Sequence, residues 1–134
     1  MGIIIDADVI IRGEKGKFSL EDWLESLDEE RFELAAVTVA ELWHGVERAV
    51  RAHRTVRERY LTELLKLVPV LSYTEQTAYQ RARIWADLES RGKRTGYYDL
   101  IVAATAIERG SKVVTFNKKH FTDVTGLTVI DPRE

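Results

Sequence analysis

The stretch Gly2-Ile3-Ile4-Ile5-Asp6-Ala7-Asp8 decides how the chain is read, because an unbroken apolar run stops at two carboxylates. A run that is apolar on both faces fits a strand buried in a parallel sheet with cover on either side. In such sheets ligands gather beyond the carboxyl ends of the strands. Asp6 and Asp8 stand at that end of the first strand.

Working outward, Val9-Ile10-Ile11 prolongs the apolar character, and Arg12-Gly13-Glu14-Lys15-Gly16-Lys17 reads as a surface loop. Ser19 precedes Leu20, Trp23, Leu24 and Leu27 at helical spacing, with Asp22 completing an approximate capping box. Phe32 to Val37 suits a second buried strand. Thr38-Val39-Ala40-Glu41 then has the form of a capping box opening a helix whose Val39, Leu42, Trp43 and Val46 share a face. Thr55-Val56-Arg57-Glu58 is a second such box, before Tyr60, Leu61, Leu64 and Leu65. The pattern fits two helices meeting near residues 52 to 55, or one bent helix.

Val68-Pro69-Val70-Leu71 is a short strand whose proline argues for an edge. Thr74 caps a helix with Ala78, Ala82, Trp85 and Ala86 at helical spacing, and Gly92 is its stop. The basic loop Arg91 to Thr95 leads through Gly96 into Tyr97-Tyr98-Asp99-Leu100 and a run to Ile107 that is apolar almost all round, the mark of a buried helix. Gly110 ends that helix. Lys112 to Thr115 and Leu127 to Ile130 read as the fourth and fifth strands, with a helical turn near Asn117 to Phe121. Strand and helix alternate throughout, which predicts a three-layer α/β/α domain with a mainly parallel sheet of about five strands.

The 134 residues, 45% of them hydrophobic, suffice for one domain over 1–134 with a sizeable core. With no cysteine there is no disulfide framework or thiolate metal site, so a metal would be held by oxygen or by His44, His53 or His120. Twenty basic and 22 acidic side chains give no long-range pull toward nucleic acid, so any such binding needs local patches. No basic leader or long apolar segment follows Met1, so a cytoplasmic protein without membrane insertion is expected.

Asp6, Glu41 and Asp99 recur at equivalent places, each just after a strand or at the entry to a helix. Each has a plain structural explanation: a turn cap for Asp6 or Asp8, a capping box for Glu41, a helix dipole for Asp99. Their combination points further. Carboxyl edges of parallel strands converge on one crevice, where several acids are tolerated if a divalent cation neutralises them. An all-oxygen set without Cys or a His pair selects Mg²⁺ or Mn²⁺ over Zn²⁺.

Ile5-Asp6-Ala7-Asp8, Thr38-Val39-Ala40-Glu41-Leu42, Gly96-Tyr97-Tyr98-Asp99-Leu100-Ile101-Val102-Ala103-Ala104 and Val114-Thr115-Phe116-Asn117-Lys118-Lys119-His120-Phe121 resemble, in that order, the motifs of PIN-domain ribonucleases. The likeness is greatest to VapC-type toxins of toxin–antitoxin operons, and it covers essentially the whole chain. It implies an endoribonuclease using Mg²⁺ or Mn²⁺, a small cytoplasmic dimer, a VapB-like antitoxin and an RNA substrate such as transfer RNA. Carried over by position, Asp6, Glu41 and Asp99 are the metal-binding and catalytic acids. Thr115 and Asn117 are active-site polar residues, Asn117 standing where the family often has a fourth acid. Asp8 departs from the usual Ser or Asn and is expected at the metal's water shell, replacing that charge.

Basic groups at the rim must offset an acidic pocket for RNA to bind, and Arg91, Lys93, Arg94, Lys118 and Lys119 are the candidates. Arg48, Arg51 and Arg54 fit a solvated helix face, with Glu47 spaced to pair with Arg51. Trp23, Trp43 and Trp85 lie on apolar helix faces and are expected in the core, with Trp43, beside Glu41, also a candidate antitoxin contact. His120 reads as a turn or rim residue. Two other readings stand beside the nuclease. Asp6-Ala7-Asp8-Val9 resembles the aspartyl motif of haloacid-dehalogenase-type phosphatases, which also need a lysine and a late acidic pair. A non-catalytic PIN-like nucleic-acid or protein-binding module is the other.

Overall fold

The computed structural model describes residues 2–134. The chain runs β1 (Gly2–Ile5), α1 (Ala7–Glu14), α2 (Leu20–Ser26), β2 (Arg31–Ala35), α3 (Ala36–Arg48), α4 (Arg51–Leu67), β3 (Val70–Leu71), α5 (Glu75–Ser90), α6 (Tyr97–Arg109), β4 (Lys112–Val114) and β5 (Val129–Ile130). The five strands form one sheet in the order β3-β2-β1-β4-β5, and every neighbouring pair is parallel. The chain steps outward from β1 through β2 to β3, then returns to place β4 on its other side. That reversal is a topological switch point, where a crevice opens at the carboxyl ends of β1 and β4.

Alternation along the strands divides the core in two. Ile3 and Ile5 of β1, Leu34 of β2 and Val114 of β4 face one cluster with Val9, Ile10, Leu42, Val46, Leu61 and Leu64. Ile4, Ala35 and Val113 face the other, with Ile84 and Leu88 of α5 and Val102, Ala103 and Ala106 of α6. The sheet is therefore sandwiched between α1–α4 and α5–α6, the three layers the sequence predicts. The alanines of α6 are fully buried, which lets that helix lie close against β1 and β4.

Several local expectations hold. Ser19 caps α2 by accepting from the Asp22 N–H, Thr74 and Thr77 form a reciprocal capping box on α5, and β3 with Pro69 is an edge strand. Gly110 closes α6 in the left-handed region, with φ of 65°. His120 lies in a single 3-10 turn, Lys118–His120.

Others are corrected. Residues Arg12 to Glu14 are not loop but the last turn of α1, because Val9 and Ile10 pack inward at helical rather than strand spacing. Helix α3 starts at Ala36, so Thr38 is inside it, fully buried with its hydroxyl unpartnered, and Glu41 sits in the second turn rather than in a capping box. Helix α4 likewise starts at Arg51, where Val50 supplies no side-chain cap, and the Thr55 hydroxyl donates to the Arg51 carbonyl. The break between α3 and α4 is at Ala49 and Val50, both extended. On α5 the inward face is Thr77, Ile84 and Leu88, so Trp85 is turned to solvent and is not core. Among the described residues no helix is long and apolar enough to cross a membrane.

Candidate active site

Asp6 is placed by the sheet. Its N–H donates to the Val114 carbonyl at 3.0 Å, carrying the β1–β4 ladder one residue past β1 before the chain turns into α1. As the cap of that helix, its Oδ1 accepts from the Ala7 N–H at 3.0 Å, and its side chain is buried. Thr115 leaves β4 at the same level and donates its hydroxyl to Asp6 Oδ2 at 2.9 Å. That hydroxyl also lies 3.3 Å from both oxygens of Asp8, but it has one proton, and the shorter contact takes it.

Asp8, in the first turn of α1, is held instead by the loop after β4. Oδ2 accepts from the Phe116 N–H at 3.1 Å and from Asn117 Nδ2 at 2.9 Å. The Asn117 N–H in turn donates to Thr115 Oγ1 at 3.0 Å. Thr115 and Asn117 thus orient the two aspartates at the start of α1, Asp6 that caps it and Asp8 in its first turn.

Glu41 enters from α3 and Asp99 from the first turn of α6. Together with Asp6, Asp8, Asn117, Gly96, Tyr97, Tyr98 and His120 they line an open cleft of about 340 Å³. Gly96 lies at its rim, where a Cβ would stand 3.3 Å from Asp99 Oδ2, close enough that the carboxylate would have to shift by a few tenths of an ångström. His120 Nδ1 lies 3.5 Å from that same oxygen.

Burial raises the proton affinity of all four acids, and neighbouring carboxylates add to it at Asp6, Glu41 and Asp99. Asp6 is pushed up to about 6, chiefly by burial and then by the charge of Asp8, against the hydrogen bond from Thr115. Glu41 is pushed up to about 7, by burial and then by Asp6, Asp99 and Asp8. Asp8 is raised by burial despite its bond from the Phe116 N–H. Asp99 is raised by burial, with His120 pulling the other way. These groups feel one another across the cleft, an arrangement a cation would relieve.

The four acids offer oxygen donors, which suit Mg²⁺ or Mn²⁺. Among the described residues no three His, Asp or Glu side chains close into a ready-made cage.

The PIN domain model matches residues 3–127, nearly the whole chain. The chain belongs to the PIN-domain family. Ribonuclease VapC1 of Rickettsia felis is 32% identical over 131 residues, 97% of this PIN protein and 96% of that one. A protein of Salmonella typhimurium named tRNA(fMet)-specific endonuclease VapC is 32% identical over 108 residues, 79% of each chain. Among solved structures, VapBC2 of Rickettsia felis bound to a promoter DNA fragment has the same fold, with a TM-score of 0.90 over 98% of both chains at 20% identity. FitAcB of Neisseria gonorrhoeae matches at a TM-score of 0.84 and 27% identity over 98% of this chain and 99% of that one.

The PIN fold brings Asp6, Asp8, Glu41, Asp99 and Asn117 to one cleft, with Thr115 buried behind them. It leaves other candidates elsewhere. Trp43 packs between α3 and α4 beside Leu61, Leu64 and Leu65 and does not line the cleft. Arg91 is occupied by Asp87 and the Asp123 carbonyl, and Lys118 pairs with Glu134. Glu47 pairs with Arg54, not Arg51. Lys119 is exposed, and Lys93 and Arg94 line a second cavity adjoining the first at Gly96. The phosphatase alternative also needs a lysine, and among the described residues none lines the cleft.

Tyr97 and Tyr98 also line the cleft, a placement that the sequence, where they read as a helix entry, does not announce. The available signal was their place directly before Asp99, on a helix whose next turn is buried.

Proposed function

We propose that the chain is a metal-dependent endoribonuclease that hydrolyses RNA phosphodiester bonds, the toxin of a type II, VapBC-like toxin–antitoxin pair. The observation that carries this reading is the convergence of Asp6, Asp8, Glu41 and Asp99 on one open cleft, with Asp6 and Glu41 raised to about 6 and about 7. The names of the VapC relatives and of the solved VapBC complexes support the reaction and the partner class.

Asp6, Glu41 and Asp99 would hold Mg²⁺ or Mn²⁺, with Asp8 at its water shell. Such an ion, when bound, supplies the acidity that makes water a nucleophile at neutral pH and the charge that stabilises the leaving oxygen. The remaining work belongs to the chain. Ala7 N–H and the Thr115 hydroxyl fix both oxygens of Asp6, and Phe116 and Asn117 fix Asp8, so the acids are oriented in advance. Asp6 or Asp99 accepts the proton of the attacking water. Because water is the nucleophile, the 2′-hydroxyl of the RNA is not consumed.

The substrate proposed is RNA, with transfer RNA suggested by the Salmonella relative's name. A VapB-like antitoxin, a homodimer and a cytoplasmic location complete the reading. The test is incubation of RNA with the purified chain in Mn²⁺ or Mg²⁺, against EDTA and an Asp6→Asn control. Cleavage that needs both the ion and Asp6 supports the nuclease. An aspartyl-phosphate would instead indicate a phosphatase, and inactivity in every condition a binding module.

A further inference from the structure

The acid cleft continues past Gly96 into a second cavity of about 770 Å³, with Trp85, Lys93, Arg94 and Thr95 in its walls. Ligand pockets commonly run from about 300 to 1,000 Å³. Three large rings stand in solvent along this path: Tyr97 is 64% exposed, Trp85 51% and Tyr98 50%. They are neighbours. The Tyr97 and Tyr98 rings meet edge to face at 5.4 Å, and the Arg81 guanidinium lies 4.7 Å from the Tyr97 ring and 5.5 Å from that of Trp85. Arg81 Nε is buried without a hydrogen-bond partner.

Scattered exposed apolar residues are ordinary, but a contiguous aromatic patch marks a contact surface. Its charge identifies the occupant. Arg81, Lys93 and Arg94 lie beside the rings, and among the described residues Glu89 is the one acid in the wall of the second cavity. The patch opens onto the acids, where a phosphate must sit if the nuclease reading holds, and the proposal rests on that reading. Aromatic rings beside cations offer a strand two things at once: a stacking face for its bases and a positive track for its backbone. Bases inside a duplex have their faces covered by neighbours, so this surface serves unpaired nucleotides.

We propose that unpaired bases next to the cleaved phosphate stack on Tyr97, Tyr98 and Trp85, while Arg81, Lys93 and Arg94 hold the backbone.

Binding is measured on the full chain carrying Asp6→Asn, in EDTA, by fluorescence anisotropy with two labelled RNAs: a hairpin with an open loop and a blunt duplex. Cleavage by the same surface variants with Asp6 intact is followed in parallel. Trp85→Ala and Tyr97→Ala should each weaken loop binding about ten-fold or more, the usual scale for one lost base–aromatic stack. Trp85→Phe and Tyr97→Phe, which keep a ring, should stay within about three-fold of the parent. Lys93→Gln should weaken both RNAs and lower the salt dependence.

Unchanged loop affinity in the alanine variants, with melting temperatures intact, overturns the proposal. So does an equal loss for loop and duplex, or a loss of self-association or protein binding with RNA affinity untouched, which would make the patch a protein interface. Ring-dependent loop binding by a chain that cuts no RNA upholds the platform and removes the nuclease reading alone.

Discussion

The side-chain amide of Asn117 donates to Asp8 Oδ2 at 2.9 Å, joining the loop after β4 to the first turn of α1. An acid at position 117 would set a like charge at hydrogen-bond distance from Asp8. The amide instead anchors the carboxylate, so the departure at Asn117 and the departure at Asp8 are one feature. Asn117→Ala removes this anchor, and loss of such an outer partner typically costs about 10- to 100-fold in metal affinity or activity. Cleavage rates measured against Mn²⁺ concentration should show that loss, partly recovered at high Mn²⁺.

Asp8→Asn distinguishes the two chemistries the opening motif allows. For a nuclease with Asp8 at the water shell, apparent Mn²⁺ affinity falls modestly, by about ten-fold, and saturating Mn²⁺ restores most of the rate. For a phosphatase with Asp8 as its second acid, turnover would be nearly abolished at every ion concentration.

Thr115→Val keeps the shape of a fully buried side chain but removes the hydroxyl that serves Asp6 and the Asn117 N–H. Leaving a buried donor unpaired costs about 1–3 kcal/mol. Asp6 also loses a bond that favours its charged form, so its pKa should climb further. Urea denaturation should show the stability loss, and the acid limb of the pH–rate profile should move to higher pH.

The raised acids give the metal-free protein a definite pH dependence. Asp6 goes from 3.8 to about 6 and Glu41 from 4.5 to about 7 on folding, so the native state binds more protons than the unfolded chain between those values. Their contribution is fully present below the lower value and is lost as pH rises through the higher one. Asp131, lowered to about 2 chiefly by its hydrogen bond from Arg133, acts oppositely and only at more acid pH. Denaturation midpoints in EDTA should therefore fall from pH 5 to pH 8, and Asp6→Asn should flatten that fall. A midpoint that rises across this range would contradict the assignment.

Much of this architecture was legible in the chain because burial on both faces of a strand needs the uninterrupted Ile3-Ile4-Ile5, and close helix–sheet packing needs the alanines of α6. What misled had local causes. The β-branched Val9-Ile10-Ile11 continues the composition of β1, so α1 was hidden behind it. Thr38 and Thr55 imitate capping boxes, yet α3 and α4 both begin earlier without a side-chain cap, where tertiary packing outweighs local signals. On α5 the regular Ala78, Ala82, Trp85 and Ala86 suggested an inward face, but Ile84 and Leu88 took it. Asp6 and Glu41 were readable because they come after strands, and Asp99 because it stands in the first turn of a buried helix. The aromatic rim was not, since exposure of Tyr97 and Trp85 depends on how α5 and α6 turn against the sheet.

In the proposed mechanism Asp6, Glu41 and Asp99 act as one unit with a divalent ion. The most direct measurement of this is the single-turnover rate of RNA cleavage in saturating Mn²⁺ for the parent, Asp6→Asn, Glu41→Gln, Asp99→Asn and the double variant Asp6→Asn/Asp99→Asn, each repeated in EDTA. Each single change should cost about 100-fold or more, the double little beyond the worse single, as groups acting together do. The parent in EDTA should fall to the same floor. Cleavage at the parent's rate in EDTA, or by Asp6→Asn in Mn²⁺, would contradict it.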